Sequence, residues 1–303
     1  MKHRLFTIFS LSAGILFGLL VIPASASDSP RDSTTTTTTT TTTMTTSTTS
    51  STTTTTTSVP TTTTTEPQSV NPFMVHAVVA YLKNRTNLVT AAVYDVRSGR
   101  TYLYNPNVHE TAASMVKIDI LADLLYEAQE GRELTVKEDL LATTMIEFSN
   151  NRATNQLWTD IGGRDAIDSF NTLIGFKQTF PSYSWGDIET SPRDQLQLLK
   201  VIILPNAILS AASRAYESFL MEDVTPGQRF GLGWGSPAQV TVGLKDGWYL
   251  DKSTGWQINS SGFVQYNGRL YLATIMCTNN PDEAYGEGTV TTLSRLIWQN
   301  LKP

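Results

Sequence analysis

Three short groups of residues in this chain carry side chains suited to nucleophilic chemistry: Ser114-Met115-Val116-Lys117, Ser149-Asn150-Asn151 and Lys245-Asp246-Gly247-Trp248. In the first, a three-residue offset on a helix sets the Lys amine one turn beyond the Ser hydroxyl on the same face. A Ser hydroxyl is a weak nucleophile until a base takes its proton, and Lys can be that base only if burial or a neighbouring cation lowers its pKa. The positive end of a helix dipole would favour the developing alkoxide. In the second group, the Ser149 hydroxyl could hand a proton to a leaving group while the Asn151 amide holds a substrate carbonyl or amide. In the third, Lys245 could hold an anionic substrate group. Gly247 would let the backbone come close enough for the Trp248 N–H to help bind an oxyanion. Each group alone also has an ordinary reading: a capping Ser with a snorkelling Lys, a loop, and an edge Lys beside a turn Gly.

The elements that must hold these groups are legible along the chain. Asn71-Pro72 precedes Phe73, Val75, Val78, Val79 and Leu82 at roughly helical spacing, and the β-branched, aromatic-rich Leu88 to Val96 follows. Ser98-Gly99 turns that strand into Arg100 to Tyr104, a hairpin closed by Asn105-Pro106-Asn107. Ile118, Leu121 and Leu125 mark a helix that begins near Ser114 and stops at Gly131. Thr135 to Glu138 reads as a capping box, and Ser191-Pro192-Arg193-Asp194 as a helix start. Helical patterns fit Asn151 to Asp160, Arg164 to Leu173 and Ala211 to Met221. Three strands follow at Gln239 to Leu244, Gly255 to Tyr266 and Arg269 to Cys277, with a turn at Asn267-Gly268 and a last helix from about Gly288 to Leu301. The third chemical group thus falls at the end of a predicted strand. The expected fold is α/β (α+β): an antiparallel five-stranded sheet formed by both chain ends, flanked by helices, with an all-helical lobe inserted in the middle.

The chain of 303 residues has a net charge of -5. Charges cancel over the first 67 residues, so residues 68–303 carry all of it, without the basic runs that nucleic acid would require. Lys2, His3 and Arg4 precede the apolar Leu5 to Ile22, and Pro23-Ala24-Ser25-Ala26 offers a cleavage site. Residues 1–26 therefore read as a signal peptide, with an uncleaved anchor as the competing reading. Thr dominates Thr34 to Thr65, a composition too poor in large apolar residues to form a core, so 27–67 is expected to be a disordered stalk or linker. The globular domain is 68–303, secreted or held at the cell surface and monomeric. No Cys stands near the cleavage point to carry a lipid. The one cysteine, Cys277, sits in an apolar strand as an inert thiol. His76 and His109 support no metal cluster, though His109 is an alternative base for Ser114. Trp185, Trp234, Trp248 and Trp256 could line a groove or pack in the core.

Taken together and in this order, S-x-x-K, Ser149-Asn150-Asn151 and Lys245-Asp246-Gly247 resemble the signatures of the active-site serine penicillin-recognising enzymes, in particular the class A β-lactamase-like branch. The likeness spans nearly all of residues 71–303. It implies that Ser114 is the acylated nucleophile, Lys117 its base partner and Ser149 a proton relay. Asn151 would orient substrate and Lys245 would receive a substrate carboxylate, with the Ser114 and Trp248 N–H groups forming the oxyanion hole. Two positions depart from the family pattern: Asn150 stands where Asp is usual and Asp246 where Thr or Ser is usual. Beside Lys245, Asp246 would repel a substrate anion or pair with the lysine unless it points away. The loop from Gly175 to Thr190 lacks E-x-x-x-N, and its only acids, Asp187 and Glu189, suit solvated or capping roles. An acyl-enzyme should therefore form yet hydrolyse slowly. The expected activity is that of an exported serine hydrolase acting on amide or ester bonds of a small molecule or peptide, with peptidoglycan-like peptides or β-lactams as the implied substrates. It needs no cofactor. A β-lactamase with an unrecognised deacylation base and a non-catalytic wall-binding domain are the alternatives.

Overall fold

A computed structural model describes residues 70–301; the leader and the Thr-rich tract lie outside the described residues. Asn71 caps a short 3-10 turn at Pro72–Met74, and a helix, α1, runs from His76 to Lys83. The hairpin follows as β1 (Leu88–Asp95) and β2 (Arg100–Tyr104). A 3-10 turn at Ala113–Val116 leads into α2 (Lys117–Gln129), so the Ser114 segment is a tighter turn than a regular helix start. The helical middle is α3 (Val136–Glu147), α4 (Asn151–Asp160), α5 (Arg164–Leu173), α6 (Pro192–Ile203) and α7 (Ala211–Glu222). Both start signals hold: Thr135 and Glu138 form the reciprocal capping box, and the Ser191 side chain accepts from Asp194 N above Pro192.

The large sheet has the order β2, β1, β7, β6, β5 and is antiparallel throughout, with β5 (Thr241–Asp251), β6 (Gly255–Tyr266) and β7 (Arg269–Asn280) from the C-terminal part. The chain closes with α8 (Glu283–Asn300). Alternate residues of β1, β6 and β7 bury Val89, Ala91, Ile258, Leu272 and Ile275 against the flanking helices.

Three boundaries differ from the sequence reading. Strand β5 does not stop at Leu244 but continues to Asp251, whose carboxylate accepts from Ser253 N, Ser253 Oγ and Thr254 N and so closes the turn to β6. The Lys245 group is therefore inside an edge strand, not at its end. Helix α8 begins five residues before Gly288 because Asp282 caps it by accepting from Tyr285 N. Gly286 is tolerated inside it because Ile258 of β6 occupies the space a Cβ would need. The sequence reading also missed a two-stranded ladder of Glu110–Thr111 (β3) with Glu189–Thr190 (β4), which ties the segment before Ser114 to the end of the Gly175 to Thr190 loop. That loop is clasped at its base by Asp194, which accepts from Lys177 N, Gln178 N and Thr179 Oγ.

Candidate active site

Ser114 sits in a turn built under strain and pinned from several sides. Ala113 before it has φ of 49°, a left-handed conformation costly for a residue with a Cβ. Ala112 N donates to Ile188 O at 2.8 Å, and Asn259 of β6 donates to Thr111 O at 2.8 Å and Ala112 O at 3.2 Å. Neither Asn259 nor Ile188 was singled out from the sequence, because only the tertiary fold brings them beside the turn. Gly247 of β5 completes the wall: a Cβ there would lie 2.7 Å from Met115 N, 2.8 Å from Ala112 O and 2.9 Å from Ser114 N. Only a glycine lets β5 run against this turn, and Trp248 N is the next amide along it.

Lys117, the first residue of α2, is fully buried. Its Nζ lies 2.7 Å from Ser149 O, 2.8 Å from Asn151 Oδ1 and 3.0 Å from Ser149 Oγ. From the opposite wall Lys245 Nζ, also fully buried, donates to the same Ser149 Oγ at 2.9 Å and to Asp246 O at 2.9 Å. Ser149 takes φ of 52°, a second left-handed non-glycine, which turns its hydroxyl between the two amines. Asn150 keeps the local function of the Asp it replaces in the family pattern, since its Oδ1 caps α4 by accepting from Ala153 N at 2.9 Å.

Two ammonium groups about 6 Å apart would repel by roughly 3 kcal/mol at an effective dielectric near 20, so the pair favours a single charge. Burial, and after it the charge of Lys245, pulls Lys117 down to about 6, and burial also lowers Lys245. The neutral amine is thus Lys117. A neutral amine has two N–H donors and one lone pair. Ser149 O and Asn151 Oδ1 can only accept, so they take the N–H groups and the lone pair faces Ser149 Oγ. The proton order follows: charged Lys245 donates to Ser149 Oγ, and the Ser149 hydroxyl donates to Lys117. Such a chain can collect the proton of Ser114 and return one to a leaving group. No hydrogen bond joins Lys117 to Ser114 in this resting arrangement, so the amine must swing from Ser149 towards Ser114 to act.

Asp246 is the sequence expectation that the structure corrects. Successive strand residues point to opposite faces, and Gly247 and Lys245 share the face towards Ser114. Asp246 therefore lies on the other face, buried, with its carboxylate accepting from Phe230 N and standing opposite Ser260 in the β5–β6 register. It neither lines the cleft nor touches substrate there. The Trp248 ring shares that outer face and packs on Phe230 with centroids 5.8 Å apart, leaving only its backbone beside the Ser114 turn. In the Gly175 to Thr190 loop, Asp187 and Glu189 are exposed, and neither hydrogen-bonds to Ser114, Lys117 or Ser149. What the loop presents to the site is Trp185, its ring centroid 5.0 Å from Lys117 Nζ and its Nε1 donating to Asn155 Oδ1 at 2.7 Å. His109 is exposed and packs edge-on against Phe180.

The family model of the Beta-lactamase enzyme family matches residues 131–301, more than half of the chain. This chain belongs to that family. The matched span holds Ser149, Asn151 and Lys245, and the Ser114 turn immediately precedes it. Among curated relatives, LppW of Mycobacterium tuberculosis, which bears a lipoprotein name, is 27% identical over 224 residues, 70% of each chain. Among solved structures, a beta-lactamase from Chitinophaga pinensis superposes with a TM-score of 0.66 at 20% identity, covering 75% of this chain and 98% of the other. PBP-A superposes with a TM-score of 0.62 at 22% identity over 73% and 92%. These likenesses show the fold of a β-lactamase-like serine hydrolase.

Proposed function

We propose that this member of the Beta-lactamase enzyme family is an exported serine hydrolase that forms an acyl-Ser114 intermediate from an amide or ester, with cell-wall peptides or β-lactams as its substrate class, and that its acyl-enzyme meets water slowly. The observation that carries this reading is the meeting of Lys117 and Lys245 on one hydroxyl, Ser149 Oγ, at 3.0 and 2.9 Å, directly behind the Ser114 turn. In the acylation step Ser114 Oγ bonds to the substrate carbonyl carbon as its proton passes to Lys117. The bond from that carbon to the leaving nitrogen or oxygen breaks, and the leaving group takes the Ser149 proton, which Lys117 replaces. The Ser114 and Trp248 N–H groups stabilise the oxyanion, and Asn151 orients the substrate.

The second half of the cycle is where this chain departs from an efficient β-lactamase. No loop carboxylate hydrogen-bonds to Ser114, Lys117 or Ser149, and Trp185 stands at Lys117, so the ester of Ser114 lacks a base to activate water. A solved structure in the same fold group is titled as PBP-A in an acyl-enzyme complex with penicillin G. The leader sequence and the relative with a lipoprotein name are consistent with work at the cell envelope.

Incubation of the purified domain with a fluorescent penicillin tests the proposal. The expected result is one covalent label that persists through gel electrophoresis and is absent from Ser114→Ala. Rapid release of hydrolysed product would replace the slow-turnover reading with β-lactamase activity. No label from either penicillin or a fluorophosphonate would leave a binding domain.

A further inference from the structure

Asp246 stands where the resembling family usually has a hydroxyl residue, and it is a fully buried carboxylate on the side of β5 facing away from Ser114. Its surroundings account for its charge. The Phe230 N–H donates to Oδ2, the Ser260 hydroxyl of β6 lies opposite, and Lys245 and Arg229 are the cations near it. Arg229 is already committed elsewhere: its guanidinium donates to Glu222 O and Val242 O at 2.9 and 2.7 Å, with the acids Glu222 and Asp223 of the α7 end close by. Lys245, by contrast, faces only Ser149, the Asp246 carbonyl and the second amine, Lys117. Lys117 in turn faces Asn151, Ser149 and the Trp185 ring, with no carboxylate. The proton order through Ser149 therefore has one anion behind it, at its Lys245 end.

We propose that Asp246 is the counter-ion of this chain, a positioning residue that keeps buried Lys245 protonated so that Lys117 is the amine left neutral for the Ser114 proton. It rests on the acyl-Ser114 reading above. The physical reason is that a buried ammonium is stable only with a nearby anion or by losing its proton. The two lysines share one hydroxyl, so a proton lost from Lys245 reverses the direction of the Ser149 hydrogen bond and removes the donor that polarises it. Burial raises the Asp246 carboxyl above its ordinary range while Ser260, Phe230 N, Lys245 and Arg229 pull it back towards the anion, so acid and base act as a unit.

The test is the pH profile of Ser114 acylation by a fluorescent penicillin, for the parent domain and for Asp246→Asn. Asn keeps an oxygen acceptor for the Phe230 N–H and removes only the charge. The alkaline limb, where Lys245 loses its proton, should move down by about one pH unit in Asp246→Asn, with labelling on that limb about tenfold slower than the parent's at the same pH. Asp246→Thr should behave alike. An Asn variant that folds and keeps the parent's alkaline limb would overturn the proposal while leaving the acyl-serine reading intact. Failure of the parent to label sinks the acyl-serine reading instead. In either case, and also if the variants do not fold, NMR of the unsubstituted domain carrying 13C-labelled lysine decides the charge order. Lys245 must hold its proton to higher pH than Lys117, and the reverse order overturns the proposal.

Discussion

Lys117 is a residue whose burial sets its chemistry. An amine with an ordinary pKa would be charged at every pH at which the domain works and could take no proton, whereas at about 6 it is mostly neutral near neutrality. Acylation of Ser114 should therefore be slow in acid and rise with pH through the region near 6, because the form below that value is protonated. The rate of label incorporation as a function of pH checks this, and a rate that falls over the same interval would contradict it. Lys117→Ala should slow labelling by a factor on the order of 100 to 10,000 without preventing substrate binding. The left-handed Ala113 and Ser149 belong to the same scale: each holds a side chain or turn that a relaxed backbone would aim elsewhere.

The elements act by how closely they approach one another. Strand β5 can press on the Ser114 turn only because residue 247 has no side chain, and the atoms a Cβ would meet are backbone, which cannot rotate aside. Gly247→Ala should push β5 and the turn apart, slowing acylation about 100-fold and costing about 1 to 3 kcal/mol, read from label kinetics and urea unfolding. Gly288 supplies the contrast. It is an exposed helical glycine in α8 with nothing within 4 Å of its missing Cβ, so Gly288→Ala should stabilise by about 0.5 to 1 kcal/mol and leave acylation unchanged. Equal effects of the two substitutions on acylation would show that β5 does not set the geometry of the turn.

At the scale of the whole molecule, the helical lobe buries acids as well as leucines. Asp119 of α2 and Glu217 of α7 are fully inaccessible and form no ion pair with any described residue. Burial pushes Asp119 up to about 8, with Asn171 pulling it back and Asp123 and Asp194 adding to the rise; burial and Asp119 raise Glu217 further. A carboxyl whose pKa is raised by folding holds its proton in the native state after the unfolded chain has lost it. Its contribution is complete below the unfolded pKa and is lost as pH rises towards the folded value. The domain should therefore be less stable at about pH 8 than at about pH 5, by on the order of 2 kcal/mol in urea unfolding. The double variant Asp119→Asn, Glu217→Gln should flatten that dependence, and a parent whose stability rises across the same interval would refute it.

Local chemistry fixed much of this molecule in advance. The capping box at Thr135, the Ser191-Pro192 start, the Asn267-Gly268 turn and the alternation in β6 and β7 act over a few residues, so they could be read without knowing what lies across the core. The five-stranded sheet from both chain ends and the spacing of the three chemical groups were legible for the same reason, once the groups were taken together. The reach of β5 past Leu244, the side of the strand on which Asp246 lies, the arrival of Trp185 rather than an acid at Lys117, and the sharing of Ser149 by two amines were decided only by the tertiary structure. Each depends on distances between residues tens of positions apart, and on the burial that makes a lysine neutral. Those quantities do not exist until the chain has packed.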